Sequence, residues 1–151
     1  MSKKQKISYA LGDQSYNEDY PKILLEFLNG TRTIDNPNVV EFIKQLKGSN
    51  YREHIALLSR TCPISLFMLN YCLSEKTIRE YISKYPAFEK AFQQANTGSL
   101  NYTNIAYFIG AIDKYQYASM LYVNHGITLG ASSPKQISLS PQPQQITVTS
   151  T

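Results

Sequence analysis

Apolar side chains recur along this chain at helical intervals, most densely from Cys62 to Phe88, CPISLFMLNYCLSEKTIREYISKYPAF. Phe67, Met68 and Tyr71 fall on one face of a short first helix, Leu73 sits in a turn, and Ile78, Tyr81, Ile82 and Tyr85 line a second helix. Residues three and four apart share a helix face, so this spacing predicts two helices joined by a short turn, a helix-turn-helix. Ser74 stands at the N-cap position, where its hydroxyl can accept from an orphan amide of the helix that begins at Glu75.

Upstream, residues 1–17 are polar, and Lys3, Lys4 and Lys6 make either a solvated end or a minor phosphate-touching arm. A helix is predicted near Pro21 to Leu28, opened by a proline suited to the first turn and closed at Asn29-Gly30. A second runs from about Asn38 to Leu46, with Val39, Val40, Phe42, Ile43 and Leu46 apolar, and ends at Gly48. Together they are expected to form an amino-terminal helical extension, residues 1–49, in front of a helix-turn-helix domain, residues 50–85. Asn50 with Glu53 three residues on has the form of a capping box. It would open a supporting helix, Tyr51 to Arg60, that turns Tyr51, Ile55 and Leu58 inward.

Downstream, a helix starting at Pro86 places Phe88, Ala91, Phe92 and Ala95 on one side. Asn96-Thr97-Gly98-Ser99 reads locally as a break, after which Tyr102, Ile105, Ala106 and Ile109 resume the apolar spacing. Asp113 and Gln116 form a second capping-box pattern, opening a helix whose Tyr117, Ala118, Leu121 and Tyr122 are expected to face inward and which stops at Gly126. The product is a helical hairpin, residues 86–130. Between Leu100 and Gly126 only Asp113 and Lys114 are ionised at neutral pH. Two such helices cannot cover each other, so self-association is expected through Tyr102, Ile105, Ile109, Tyr117, Leu121 and Tyr122. The alternative is a hairpin folded back on the amino-terminal helices of a monomer.

Residues 131–151 are rich in Ser, Pro and Gln and cannot build a core by themselves. Ile137-Ser138-Leu139 and Ile146-Thr147-Val148-Thr149 have the alternation of strands, but isolated strands are marginal. The segment is read as a flexible tail that orders on meeting a partner.

The chain has 151 residues, 42% of them hydrophobic, enough for a core in one or two small domains. No apolar run approaches the roughly 20 residues of a membrane span, and the basic start MSKKQKISYALGDQ lacks a signal-peptide stretch, so a cytoplasmic protein without membrane contact is expected. Cys62 and Cys72 fit a reducing compartment as small core hydrophobes. A zinc site would have to recruit His54 or His125 at irregular spacings, so no metal is expected. There is no Gly-x-x-x-x-Gly-Lys-Ser/Thr loop, no second carboxylate cluster beside Glu18 and Asp19, and no nucleophile-base spacing. Neither catalysis nor a cofactor is expected.

The net charge of +4 is spread thinly. One copy would make few phosphate contacts and bind nucleic acid weakly, so useful affinity needs several copies together. Opposite the apolar stripe of the second helix stand Lys76, Arg79, Ser83 and Lys84, with Thr77 near the helix start, as candidates for phosphate or base contact. Arg52 and Arg60 on the supporting helix are candidates to clamp the backbone, while Glu75 and Glu80 on much the same face oppose nonspecific binding. The same spacing also arises in three-helix cores that bind no nucleic acid.

The stretch from Leu73 to Ala91 resembles the phage small terminase subunits, the recognition proteins of viral DNA packaging. In that family a helix-turn-helix of the form V-S-x-x-T-hydrophobic-x-x-W runs into a hydrophobic-x-x-H-P-E-F-x-x-A segment. Here Tyr81 takes the Trp place, Tyr85 the His place, and Pro86, Phe88 and Ala91 match. A weaker likeness runs from Lys114 to Gly126, an aromatic-rich segment ending in Asn and Gly. Met68 and Cys72 stand where such turns usually carry Ala and Gly, so this turn must be reached without a glycine at positive φ. The resemblance, over residues 50–126, implies one long helix through 96–99 and an all-α, ring-forming subunit. It would recognise double-stranded viral DNA in the cytoplasm of an infected bacterium and present it to the large ATPase-nuclease terminase subunit. It also implies that the tail meets the large subunit or joins neighbouring copies in a small barrel. The alternatives are a dimeric helix-turn-helix transcriptional regulator and a ring-forming assembly adaptor that binds no DNA.

Overall fold

The computed structural model describes residues 12–129 and 137–139. The described residues form seven α-helices and one two-stranded sheet, so the fold is all-α in character, as expected. The chain divides into two compact units, Met1–Ser99 and Leu100–Thr151.

In the first unit, α1 (Tyr20–Asn29) begins with a proline in its first turn and ends at Gly30, whose φ of 80° is cheap only for glycine. Helix α2 (Pro37–Lys47) is capped by the Asn36 side chain, which accepts from the amide of Asn38 at 3.0 Å. A single 3₁₀ turn, Gly48–Asn50, leads into α3 (Tyr51–Thr61). That turn changes one expectation: the Tyr51 amide bonds to the Gly48 carbonyl, and the Asn50 side chain makes no capping bond, so no capping box forms with Glu53. Helices α4 (Pro63–Tyr71) and α5 (Glu75–Lys84) follow, then α6 (Pro86–Phe108).

The expected boundary at residue 49 falls inside one core. Leu24 and Phe27 of α1 and Val39 of α2 are buried with Ile55 of α3, Phe67 of α4, Ile78 and Tyr81 of α5, and Phe88, Ala91 and Ala95 of α6. The reason is area: three short helices around residues 50–85 offer too small an interior to bury Phe67 and Tyr81 without α1 and α2 above them. Tyr20 of α1 meets the Phe67 ring edge-on at 5.1 Å, and the Asn70 Oδ1 of α4 accepts from the amides of Asp35 and Asn36 at 2.8 and 2.9 Å. The first turns of α6 complete this core as well, so the second unit begins at Leu100 rather than at the expected residue 86. Burying each of Phe27, Phe67 and Phe88 contributes about 1.5–3 kcal/mol, and these three side chains are the largest that solvent does not reach.

Helix α6 is continuous through Asn96–Ser99, where the local composition reads as a break. Gly98 has a packing role: a Cβ there would lie 2.6 Å from Leu28 Cδ2 of α1, so glycine permits the close approach.

In the second unit, α6 ends at Phe108, the turn after it passes through Gly110 (φ 83°), and α7 (Lys114–His125) opens with the expected capping box. Asp113 Oδ1 accepts from the Gln116 amide and Gln116 Oε1 from the Asp113 amide, both at 2.8 Å. Tyr107 and Tyr117 stack across the turn with centroids 4.3 Å apart, and the Tyr117 hydroxyl donates to Asn104 Oδ1 at 2.8 Å. Helix α7 stops at Gly126 in the left-handed region. Strand β1 (Ile127–Leu129) then pairs antiparallel with β2 (Ile137–Leu139), Thr128 opposite Ser138. The strand character of residues 137–139 is thus realised within one chain, while its partner β1 had been assigned no strand. The expectations for Lys3, Lys4 and Lys6, for residues 146–149 and for a tail that orders on a partner lie outside the described residues.

Candidate nucleic-acid interface

The chain between α4 and α5 solves the turn without glycine. Cys72 itself takes φ 55° and ψ 44°, the left-handed conformation that costs a non-glycine residue roughly 1–2 kcal/mol. Its amide and that of Leu73 close the end of α4 on the carbonyls of Leu69 and Met68, at 3.3 and 3.0 Å. Ser74 Oγ then accepts from the Thr77 amide at 3.1 Å and caps α5 as expected.

A residue from far upstream holds this turn. Gln14 donates through Nε2 to the Cys72 carbonyl at 3.0 Å and to the Gly12 carbonyl at 2.8 Å. Its Oε1 accepts from the Ser74 amide at 3.2 Å and the Thr77 hydroxyl at 2.7 Å, and its backbone carbonyl accepts from the Tyr81 hydroxyl at 2.7 Å. Gly12 bonds through its amide to the Cys72 carbonyl at 3.2 Å, and Tyr16 stacks flat on Tyr85 with centroids 3.7 Å apart. Burial raises the Tyr81 phenol to about 12, with Tyr20 adding to the effect, so it stays a donor throughout the neutral range.

The helix α5 therefore has its inner face fixed and its outer face free. Lys76, Arg79, Ser83 and Lys84 are exposed, with Glu75 and Glu80 among them: three cations against two carboxylates. Arg79 bonds to Glu75 at 2.6 Å along the helix, which spends one of those cations internally. Thr77, expected at the groove, is turned inward instead. It is buried, and its hydroxyl is held by Gln14 and Ser74, because the third position after the cap faces the core together with Ile78 and Tyr81. Arg60 is also engaged elsewhere, lying against Gly30 with Nη2 3.4 Å from the Asn29 carbonyl at the end of α1. Arg52 remains exposed, its guanidinium 4.9 Å from the centroid of Tyr51.

The second unit presents a different surface. Of the eight large apolar side chains exposed among the described residues, seven lie between Ile105 and Val123. Ile105 and Ile109 are exposed as their proposed role requires, and so is Tyr122, which had been expected to face inward. Leu121 is 3% exposed and Tyr117 is half-buried against Tyr107 and Asn104, so both act within the hairpin and are withdrawn as contacts between copies. Tyr102 is half-buried. Phe108, Tyr115 and Val123 are the most exposed of the set, at 88%, 82% and 72%, and lie outside the six residues expected from spacing. Spacing places a residue on a face but does not say which face a neighbour covers.

Among the described residues no three His, Cys, Asp or Glu side chains gather as a metal site, and no helix is long and apolar enough to cross a membrane. No protein-family model, curated protein or solved structure matches the chain.

Proposed function

We propose that this chain is a phage small terminase subunit, a non-catalytic protein of the infected host's cytoplasm. On this reading it assembles as a ring, recognises double-stranded viral DNA, and presents it to the large ATPase-nuclease subunit. The observation that carries the reading is the helix-turn-helix from Pro63 to Lys84, whose second helix has a locked inner face and an outer face bearing Lys76, Arg79, Ser83 and Lys84. Its thin charge calls for several copies acting together. The apolar outer surface from Ile105 to Val123 supports the copies' assembly, because among the described side chains of that unit few are buried: Thr103, Ala106, Ile112 and Leu121. The test is the native mass by light scattering at low and moderate salt. A single species many times the 17.2 kDa chain, reduced to monomer by Phe108→Asp, is the expected result. A monomeric wild type would sink the ring, and a dimer would move the reading to a transcriptional regulator binding half-sites one helical turn apart.

A second reading, a ring-forming adaptor that binds no DNA, draws on the Arg79–Glu75 pair and the inward Thr77, which leave the outer face of α5 less basic than its sequence suggests. It predicts the same ring with no duplex affinity.

A further inference from the structure

Some cations among the described residues of the first unit lie on carboxylates and others, Lys76, Lys84 and Lys90 among them, do not. Lys22 and Arg32 both lie on Glu26, and Arg79 lies on Glu75. Lys44, Lys47 and Arg52 have no carboxylate of the described residues within ion-pair distance; Glu41 and Glu53, the acids of the same two helices, do not reach them. Two of them, Lys44 and Arg52, are brought to one ring. Lys44 of α2 places Nζ 5.5 Å from the centroid of Tyr51, and Arg52 of α3 places Cζ 4.9 Å from the same ring. Lys44 and Arg52 are exposed and Tyr51 is half-buried, its ring fixed at the start of α3.

We propose that Lys44, Tyr51 and Arg52, with Lys47 in the same last turn of α2 as Lys44, form a second contact for the phosphate backbone of duplex DNA, at the junction of α2 and α3. This rests on the DNA-recognition reading above and extends its footprint beyond α5. An aromatic face attracts each cation and holds its head near one ring at the surface, where phosphates of one backbone can pair with them. Because the ring already positions both heads, little side-chain freedom remains to be lost on binding. The donor set selects the ligand: a guanidinium fork, an ammonium and a phenol are groups that grip phosphate oxygens, and none is placed on an element that enters a groove. The contact therefore adds affinity and salt dependence without adding sequence discrimination.

The test compares the salt dependence of binding to a labelled mixed-sequence duplex for the full chain and for Lys44→Gln with Arg52→Gln. Each phosphate contact contributes about 0.9 to the slope of log K against log salt, so the double variant should lose about 1–2 of that slope. Lys44→Arg with Arg52→Lys should keep the wild-type slope, and so should Lys90→Gln, which removes an exposed cation of α6. Circular dichroism melts establish that each variant is folded. Wild-type binding with an unchanged slope in the double variant overturns this contact alone. A wild type that binds no duplex even at low salt overturns the DNA reading itself, and this contact with it.

Discussion

Gln14 and Thr77 meet side chain to side chain across 63 positions of chain, the Thr77 hydroxyl donating to Gln14 Oε1 at 2.7 Å. That bond belongs to a set in which one amide group satisfies the Ser74 amide, the Thr77 hydroxyl and the Cys72 carbonyl, the three polar groups that define the start of α5. Gln14→Leu leaves those groups without their partner, and each such loss costs about 1–3 kcal/mol where water cannot replace it. Because Gln14, Cys72 and Ser74 are only half-buried and Thr77 alone of the set is buried, the expected loss is at the lower end. Urea denaturation should show it as a lower midpoint with an unchanged slope.

Tyr81 ties the same strap through its hydroxyl, which donates to the Gln14 carbonyl at 2.7 Å. Its pKa rises in the fold from 10.0 to about 12, chiefly through burial. Above the unfolded value the unfolded chain has released its proton while the folded chain still holds it, so unfolding is favoured as pH rises. The stability is full below pH 10 and is lost as pH climbs towards 12. Thermal melts across that range should fall steeply for the wild type. In Tyr81→Phe the fall should be shallower, the remainder coming from Tyr16, Tyr20 and Tyr117, whose phenols burial also raises.

Helix positions, the Ser74 cap and the Asp113–Gln116 capping box were legible because each is a local pattern, written within a few residues. What was not legible is long-range. Nothing around Gln14 marks it as the partner of residues about 60 positions away, and Thr77 carries no sign that its hydroxyl is already occupied. The division at residue 49 failed for the same reason: periodicity gives α1 and α3 an apolar face each but not the fact that the two faces share one core. Tyr, Phe and Ile surround the hairpin helices so evenly that no stripe stands out, and spacing alone therefore distinguishes neither Tyr122 nor Phe108 as outward-facing.

Gly98 shows a local signal overruled by packing, and the overruling is measurable. Alanine is favoured over glycine inside a helix by about 1 kcal/mol. At position 98, however, its Cβ would meet the Leu28 side chain at 2.6 Å, and Leu28 is buried. Gly98→Ala should therefore destabilise the wild type and stabilise Leu28→Ala, where the opposing methyl groups are gone. A double-mutant cycle by urea denaturation reads the coupling directly; additive effects would mean that Leu28 yields freely and that the close approach does not decide the residue.

The pairing of Arg79 with Glu75 makes the outer face of α5 a place where the DNA reading and the adaptor reading diverge. The two side chains are both 72% exposed and joined at 2.6 Å, so the bond stabilises the helix by only about 0.3–0.5 kcal/mol. Glu75→Gln breaks it at little cost to folding, leaves the Ser74 cap in place, and turns a neutralised arginine into a free one. If α5 meets phosphates, the variant should bind duplex more tightly than wild type, with a salt slope steeper by up to about 0.9, the share of one added contact. Arg79→Ala should then lose little in the wild type, where Glu75 holds that arginine, and more in the Glu75→Gln background. An α5 surface that serves protein contacts alone predicts no change in duplex affinity from either substitution, and titration of a labelled duplex by fluorescence anisotropy separates the two.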